Sequence, residues 1–194
     1  HSLRRTEIQP YMINYLRAAF LTGVLAFVVP AGICMVHAVR GEVVFADNTQ
    51  IEAKDCETVN ITDSAQILQN FTADGEYLTD IYIRLGMHNR INDSKIYVTV
   101  RDSVTQQIIY EDEISTLHMV KEESMYRIVK GKIPVEPGRA YELLLSGADG
   151  ADNCVATYYH ETDTSMEKDV EETAEISGVR GKQQLIMEIR GISE

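Results

Sequence analysis

The sequence has no tryptophan, only three cysteines, and far fewer basic than acidic residues, 18 against 30. Without tryptophan, any stacking on a sugar ring falls to tyrosine or phenylalanine. The cysteines are Cys34, Cys56 and Cys154. They form no CxxC and no Cys/His cluster with zinc spacing. A chain of 194 residues buries a core without staples. Its length suits one domain and an appendage.

Catalytic signatures are also missing. There is no GxSxG, HExxH, P-loop or GxGxxG. His88, His118 and His160 are scattered, and the runs Glu111-Asp112-Glu113 and Glu122-Glu123 read as solvated surface. A glycosidase holds two carboxylates ~5–10 Å apart across a cleft, and nothing in the sequence marks such a pair. The expectation is a chain that is not an enzyme and carries no cofactor.

The scarce basic charge is unevenly spread. The first 40 residues hold Arg4, Arg5, Arg17 and Arg40 against one acid, Glu7. The remainder carries 14 basic and 29 acidic residues, a net of −15. A domain of that charge repels phosphate backbones, which argues against nucleic acid as a partner.

What is present begins with one long apolar run. Residues 18–36, AAFLTGVLAFVVPAGICMV, hold no charged side chain, and the run continues to Val39. About 20 apolar residues span a bilayer core as a helix. The arginines before the run and the acidic sequence after it predict a short cytoplasmic segment over 1–17, a transmembrane helix over 18–39 and an extracytoplasmic domain over 41–194. The protein is then a single-pass signal-anchor protein of the cell membrane. Ala19 and Gly23 are a small-xxx-small pair that suits helix association with membrane protein partners. The first alternative is a cleavable signal peptide cut at Val44-Phe45-Ala46, although its apolar core would be only ~7–15 residues. The second is a helix of the domain core; the uninterrupted apolarity argues against it, because a surface helix would show a polar stripe.

After residue 48 the apolar pattern has a period close to two. Strands are expected at 66–73, 77–85, 95–102, 106–114, 125–135, 139–147, 154–161 and 183–192, with one more within 50–60. ADGE, NRINDS, VEPGR and GADGADN supply the turns. Strands without βαβ alternation predict an all-β, jelly-roll-like antiparallel sandwich. The charged stretch 161–182 reads as an exposed loop or insertion, in which 165–176 could form a short helix.

In 77–85 the alternation puts Leu78, Asp80, Tyr82 and Arg84 on one face. Thr79, Ile81, Ile83 and Leu85 take the other, with Ile81, Ile83 and Leu85 toward the core. For a glycan, the candidate contacts are Tyr77, Tyr82, Arg84, Tyr126, Tyr158 and Tyr159; the alternative for each tyrosine is half-buried packing. Asp149, Asp152 and Asn153 offer hard oxygens for a structural Ca2+, or make a turn. Cys56 and Cys154 could pair in an extracytoplasmic setting if their Cα atoms come within ~7 Å. Sequons stand at Asn60, Asn70 and Asn92.

The run QNFTADGEYLTDIYIRLGMHNRINDSKIYVTVRD, followed by GKIPVEPGRAYELLLSG and QQLIMEIRG, resembles a known domain type. These are the extracytoplasmic jelly-roll domains, galactose-binding-like in form, that follow the first transmembrane helix of Gram-positive membrane proteins linked to cell-surface polysaccharide synthesis. The resemblance covers roughly 64–192. It implies a membrane-anchored module that binds or positions cell-envelope glycan or envelope proteins. It equally implies an accessory ectodomain of a multi-span glycosyltransferase or polysaccharide-assembly protein. It also implies a structural calcium, and it makes the sequons a chance occurrence.

Overall fold

The computed structural model describes residues 41–161, 174–176 and 179–194. The expected cytoplasmic segment 1–17 and membrane helix 18–39 lie outside the described residues. Among the described residues no helix is long and apolar enough to cross a membrane.

The described residues form twelve strands: β1 (Glu42–Asp47), β2 (Glu57–Asn60), β3 (Ile67–Thr72), β4 (Tyr77–Gly86), β5 (Lys95–Asp102), β6 (Ile108–Ser115), β7 (Ser124–Pro134), β8 (Ala140–Gly147), β9 (Ala156–Glu161), β10 (Ala174–Ile176), β11 (Val179–Leu185) and β12 (Met187–Ile192). Among the described residues there are also two 3-10 turns, Ala53–Asp55 and Ala151–Asn153. The period-two pattern becomes alternate burial. In β5, Ile96, Val98 and Val100 are buried while Lys95, Tyr97 and Thr99 point outward.

The ladder runs β1-β12-β4-β9-β11-β10-β3-β8-β5-β6, with β2 added to β9 and β7 to β4, and the pairings are antiparallel. It is sandwich-like, because the layer β1-β12-β4-β7 and the layer β3-β8-β5 share one core. Phe45, Ile81, Ile83, Val129 and Ile189 enter it from the first layer; Phe71, Val98, Val100, Leu143 and Leu145 enter from the second. The Phe71 and Tyr141 rings stack with centroids 5.9 Å apart.

Three expectations change. The segment 183–192 is two strands, because the chain passes at Ile186 from pairing with β9 to pairing with β4. Ile186 itself is used on both sides: its N–H donates to the Tyr158 carbonyl, and its carbonyl accepts the Arg84 N–H, both at 2.9 Å. Second, the end of 161–182 is strand: β10 pairs with β3 and β11, so a helix over 165–176 does not reach Ala174–Ile176. The residues 162–173 and 177–178 lie outside the described ones. Third, Val44-Phe45-Ala46 belongs to β1, with Phe45 in the core and Ala46 opposite Ile189. Cleavage after Ala46 would remove most of a structural strand.

Candidate ligand-binding face

Strand β4 is irregular at its start, and this decides what the outer face carries. Its pairing with β7 shifts register between Leu78 and Asp80, and its pairing with β12 shifts between Arg190 and Gly191. One extra residue reverses the side-chain alternation. Leu78, expected on the outer face, is fully buried with Ile81 and Ile83. Tyr77 thereby joins Asp80 and Tyr82 outside. β12 meets this extra residue of β4 with a glycine, because a Cβ at Gly191 would collide with the Phe45 ring and the Tyr77 carbonyl.

Register gives the neighbours on this face. Tyr82 lies between Glu188 on β12 and Arg127 on β7; Asp80 lies between Arg190 and Lys130. The Arg190 guanidinium sits over the Tyr82 ring, 5.4 Å from its centroid. It also reaches Glu188 at 2.7 Å and Glu42 at 3.3 Å. The Glu188 hydrogen bond is the main reason that its proton is held more tightly than usual. Lys132 Nζ stands 4.1 Å above the Tyr77 ring and pairs with Glu194. That hydrogen bond raises the lysine pKa. Arg127 pairs with Asp80. The result is a flat surface of two half-buried tyrosines, each under a cation, within a lattice of alternating charge.

The remaining expected contacts are elsewhere. Arg84 is only 9% exposed, because the 49–51 loop covers it. Its guanidinium donates to the Thr49 carbonyl at 2.8 Å and the Ile51 carbonyl at 2.5 Å, so it clamps a loop and presents no charge to solvent. Tyr126 packs against the core; its hydroxyl donates to the Lys121 carbonyl (2.9 Å) and accepts the Lys121 N–H (2.8 Å). Tyr158 is half-buried beside Gly86, where a Cβ would stand 3.2 Å from its ring; burial, then Glu123 and Glu122, raises its phenol pKa. Tyr159 is buried and donates to Glu57 Oε2 at 2.6 Å. Of the six expected ligand contacts, Tyr77 and Tyr82 share a face. Arg190, Arg127, Lys130 and Lys132 complete it. The acid-free basic run of β7 is a sequence signal for Arg127, Lys130 and Lys132, and Arg190 on β12 has none.

The expected calcium ligands form a clasp between two loops. Asn153 Nδ2 donates to the Asp93 carbonyl at 2.8 Å and to Asp149 Oδ2 at 3.1 Å, and Asn153 Oδ1 accepts the Asp93 N–H at 3.1 Å. Asn153 thus ties Asp149 to the 93 loop, the turn-making role that is the alternative to a metal ligand. Among the described residues no three His, Cys, Asp or Glu side chains are grouped to hold a metal.

The expected disulfide is not formed: Cys56 and Cys154 are free thiols. The antiparallel pairing of β2 with β9 sets Glu57 opposite Tyr159 and Asn60 opposite Ala156. Cys56 therefore precedes one end of the ladder and Cys154 lies beyond the other. At ~3.3 Å per residue they are about 20 Å apart, far outside disulfide reach. Burial pushes both thiols up. Asn92 of the third sequon is fully buried and donates to the Met87 carbonyl at 3.0 Å, which removes it as an acceptor.

A depression of about 410 Å³ opens between the 87–91 turn and Val120–Glu122. Its polar groups are committed to structure. Glu122 accepts the N–H groups of Met87 (2.7 Å) and Asn89 (2.5 Å), which holds His88 and Asn89 at positive φ. Arg90 donates to Asn92 Oδ1 and the Ala151 carbonyl, both at 2.8 Å.

No protein-family model matches the chain, and no curated protein matches it significantly.

Proposed function

We propose that this chain is a non-catalytic, membrane-anchored extracytoplasmic module of jelly-roll form that binds or positions cell-envelope glycan. The supporting observation is the outer face of β4, where Tyr77 and Tyr82 share one surface with four cations and the carboxylates Asp80 and Glu188. Aromatic rings bordered by hydrogen-bonding charges are the composition a sugar site uses. The apolar run 18–39 and its arginine-rich N-terminal flank support the anchor and its orientation.

The test is glycan-array binding by the full chain in lipid nanodiscs, repeated with Tyr82→Ala. Binding that drops at least tenfold in the variant supports the reading. Binding to no glycan at all, or equal binding by the variant, sinks it. A cysteine introduced at exposed Val44 should react with a membrane-impermeant maleimide on intact cells; protection there would reverse the proposed orientation.

A further inference from the structure

We infer that the ligand of this face is an extended glycan bearing acidic groups, either carboxylate or phosphate, running along β4; this rests on the glycan reading above. The first reason is what the tyrosines present. Each ring lies beneath a cation, Lys132 over Tyr77 and Arg190 over Tyr82. A neutral sugar stacking on either ring must displace that cation, whereas an acidic group can meet it in place by taking over from an exposed carboxylate partner, Glu194 at Lys132 or Glu42 at Arg190. The rings then act as backing that positions charge. Guanidinium offers a fork of donors that matches carboxylate and phosphate oxygens.

The second reason is the line of cations. Arg127 lies opposite Tyr82, Lys130 opposite Asp80, and Lys132 stands over Tyr77. Arg127, Lys130 and Lys132 are all exposed, and β7 holds no acid. Lys130 has no ion-pair partner among the described residues. Outside the first 40 residues the chain carries a net charge of −15, so three cations on one acid-free strand are a local exception, although Arg127 pairs with Asp80 and Lys132 with Glu194. Their attraction acts within a screening length of ~8 Å at physiological salt.

The third reason is spacing. Tyr77 and Tyr82 lie opposite Ile192 and Glu188, four positions apart on β12, which is roughly 13 Å at ~3.3 Å per residue. A single sugar cannot engage both cation-covered rings, whereas a chain of several sugars can.

The experiment measures binding to the full chain in zwitterionic nanodiscs by calorimetry. The probes are polygalacturonate, a phosphomannan, neutral dextran and monomeric galacturonate. We expect one or both acidic polymers to bind, with affinity falling as salt rises, and dextran and the monomer to bind at least tenfold more weakly. The two acidic polymers separate carboxylate from phosphate recognition. Lys130→Glu reverses the charge of an exposed side chain and should weaken acidic-polymer binding about fivefold at low salt, equivalent to ~1 kcal/mol. Arg190→Gln should weaken it further. Dextran binding as tightly as the acidic polymers overturns the acidic ligand and leaves the glycan reading standing. Galacturonate binding as tightly as its polymer overturns the extended ligand. Acidic-polymer binding unchanged in both variants places the site off this face and overturns the inference. Failure of every polymer to bind removes the glycan reading itself.

Discussion

The side-chain carbonyl of Asn48 accepts the N–H of Met187 at 2.7 Å, while the Asn48 amide nitrogen donates to the Leu185 carbonyl at 2.8 Å. One buried carboxamide thus spans the corner at Ile186, where the last stretch of chain changes partner strands. Gln69 Oε1 takes the remaining donor there, the Leu185 N–H, at 2.9 Å. Buried backbone groups without partners are costly, and a corner between two ladders creates several at once. Asn48→Leu strands a donor and an acceptor together. At ~1–3 kcal/mol for each buried group left unpaired, the loss should be about 2–6 kcal/mol. Urea unfolding at unchanged m-value measures it. A loss below ~0.5 kcal/mol would mean that the corner does not depend on Asn48.

The second prediction concerns the β4 irregularity. Leu78 is fully buried and Thr79 only partly so. Leu78→Ala should cost about 2–5 kcal/mol, the usual range for a core leucine, and Thr79→Ala less than ~1 kcal/mol. Strict alternation through this strand demands the reverse order. Chemical denaturation of the two variants side by side decides between the two registers.

The limits of β5, 95–102, were legible because its burial alternates without interruption between two partner strands. The register shift at Leu78–Asp80 was not, since one extra residue leaves no compositional mark. It is dictated by what β12 and β7 present across the ladder. Arg84 reads in sequence as an outer-face charge, and only the return of the 49–51 loop over it turns it into a clamp. Likewise the cations over Tyr77 and Tyr82 come from β7 and β12, so the sequence offered the rings without their covers. Cys56 and Cys154 show the same limit, because pairing depends on which ends of β2 and β9 meet. The alternating pattern is a local property of each strand, whereas the composition of the face is set by long-range register.

A third prediction uses Tyr159. Its hydrogen bond to the Glu57 carboxylate, followed by burial, pushes its phenol up to about 12. A folded-state pKa above the ordinary tyrosine value of ~10 gives stability that is fully present below pH ~10 and lost as pH rises through about 12. In an alkaline titration followed by tyrosinate absorbance, the wild type minus Tyr159→Phe difference should report one phenol titrating near the upper end. Glu57→Gln should bring that step down toward ~10. An unshifted step in Glu57→Gln would assign the perturbation to burial alone.

The last prediction uses the opposite sign. Asp102 caps the turn after β5: its Oδ1 accepts the N–H groups of Val104 at 2.9 Å and Thr105 at 2.6 Å, and its Oδ2 pairs with Arg139. The Thr105 hydrogen bond leads the causes that lower its pKa to about 2. A carboxyl whose folded pKa lies below its unfolded value of ~3.9 gives stability that is present above pH ~4 and lost as pH falls toward about 2. Asp102→Asn keeps an oxygen for the turn and gives up the charge, so it removes the titrating contribution. Urea midpoints measured across pH 5 to pH 2 should therefore fall more steeply for the wild type than for Asp102→Asn. The two curves should converge at the acid end. Parallel curves would show that the ionised Asp102 is no better bound in the folded chain than in the unfolded one.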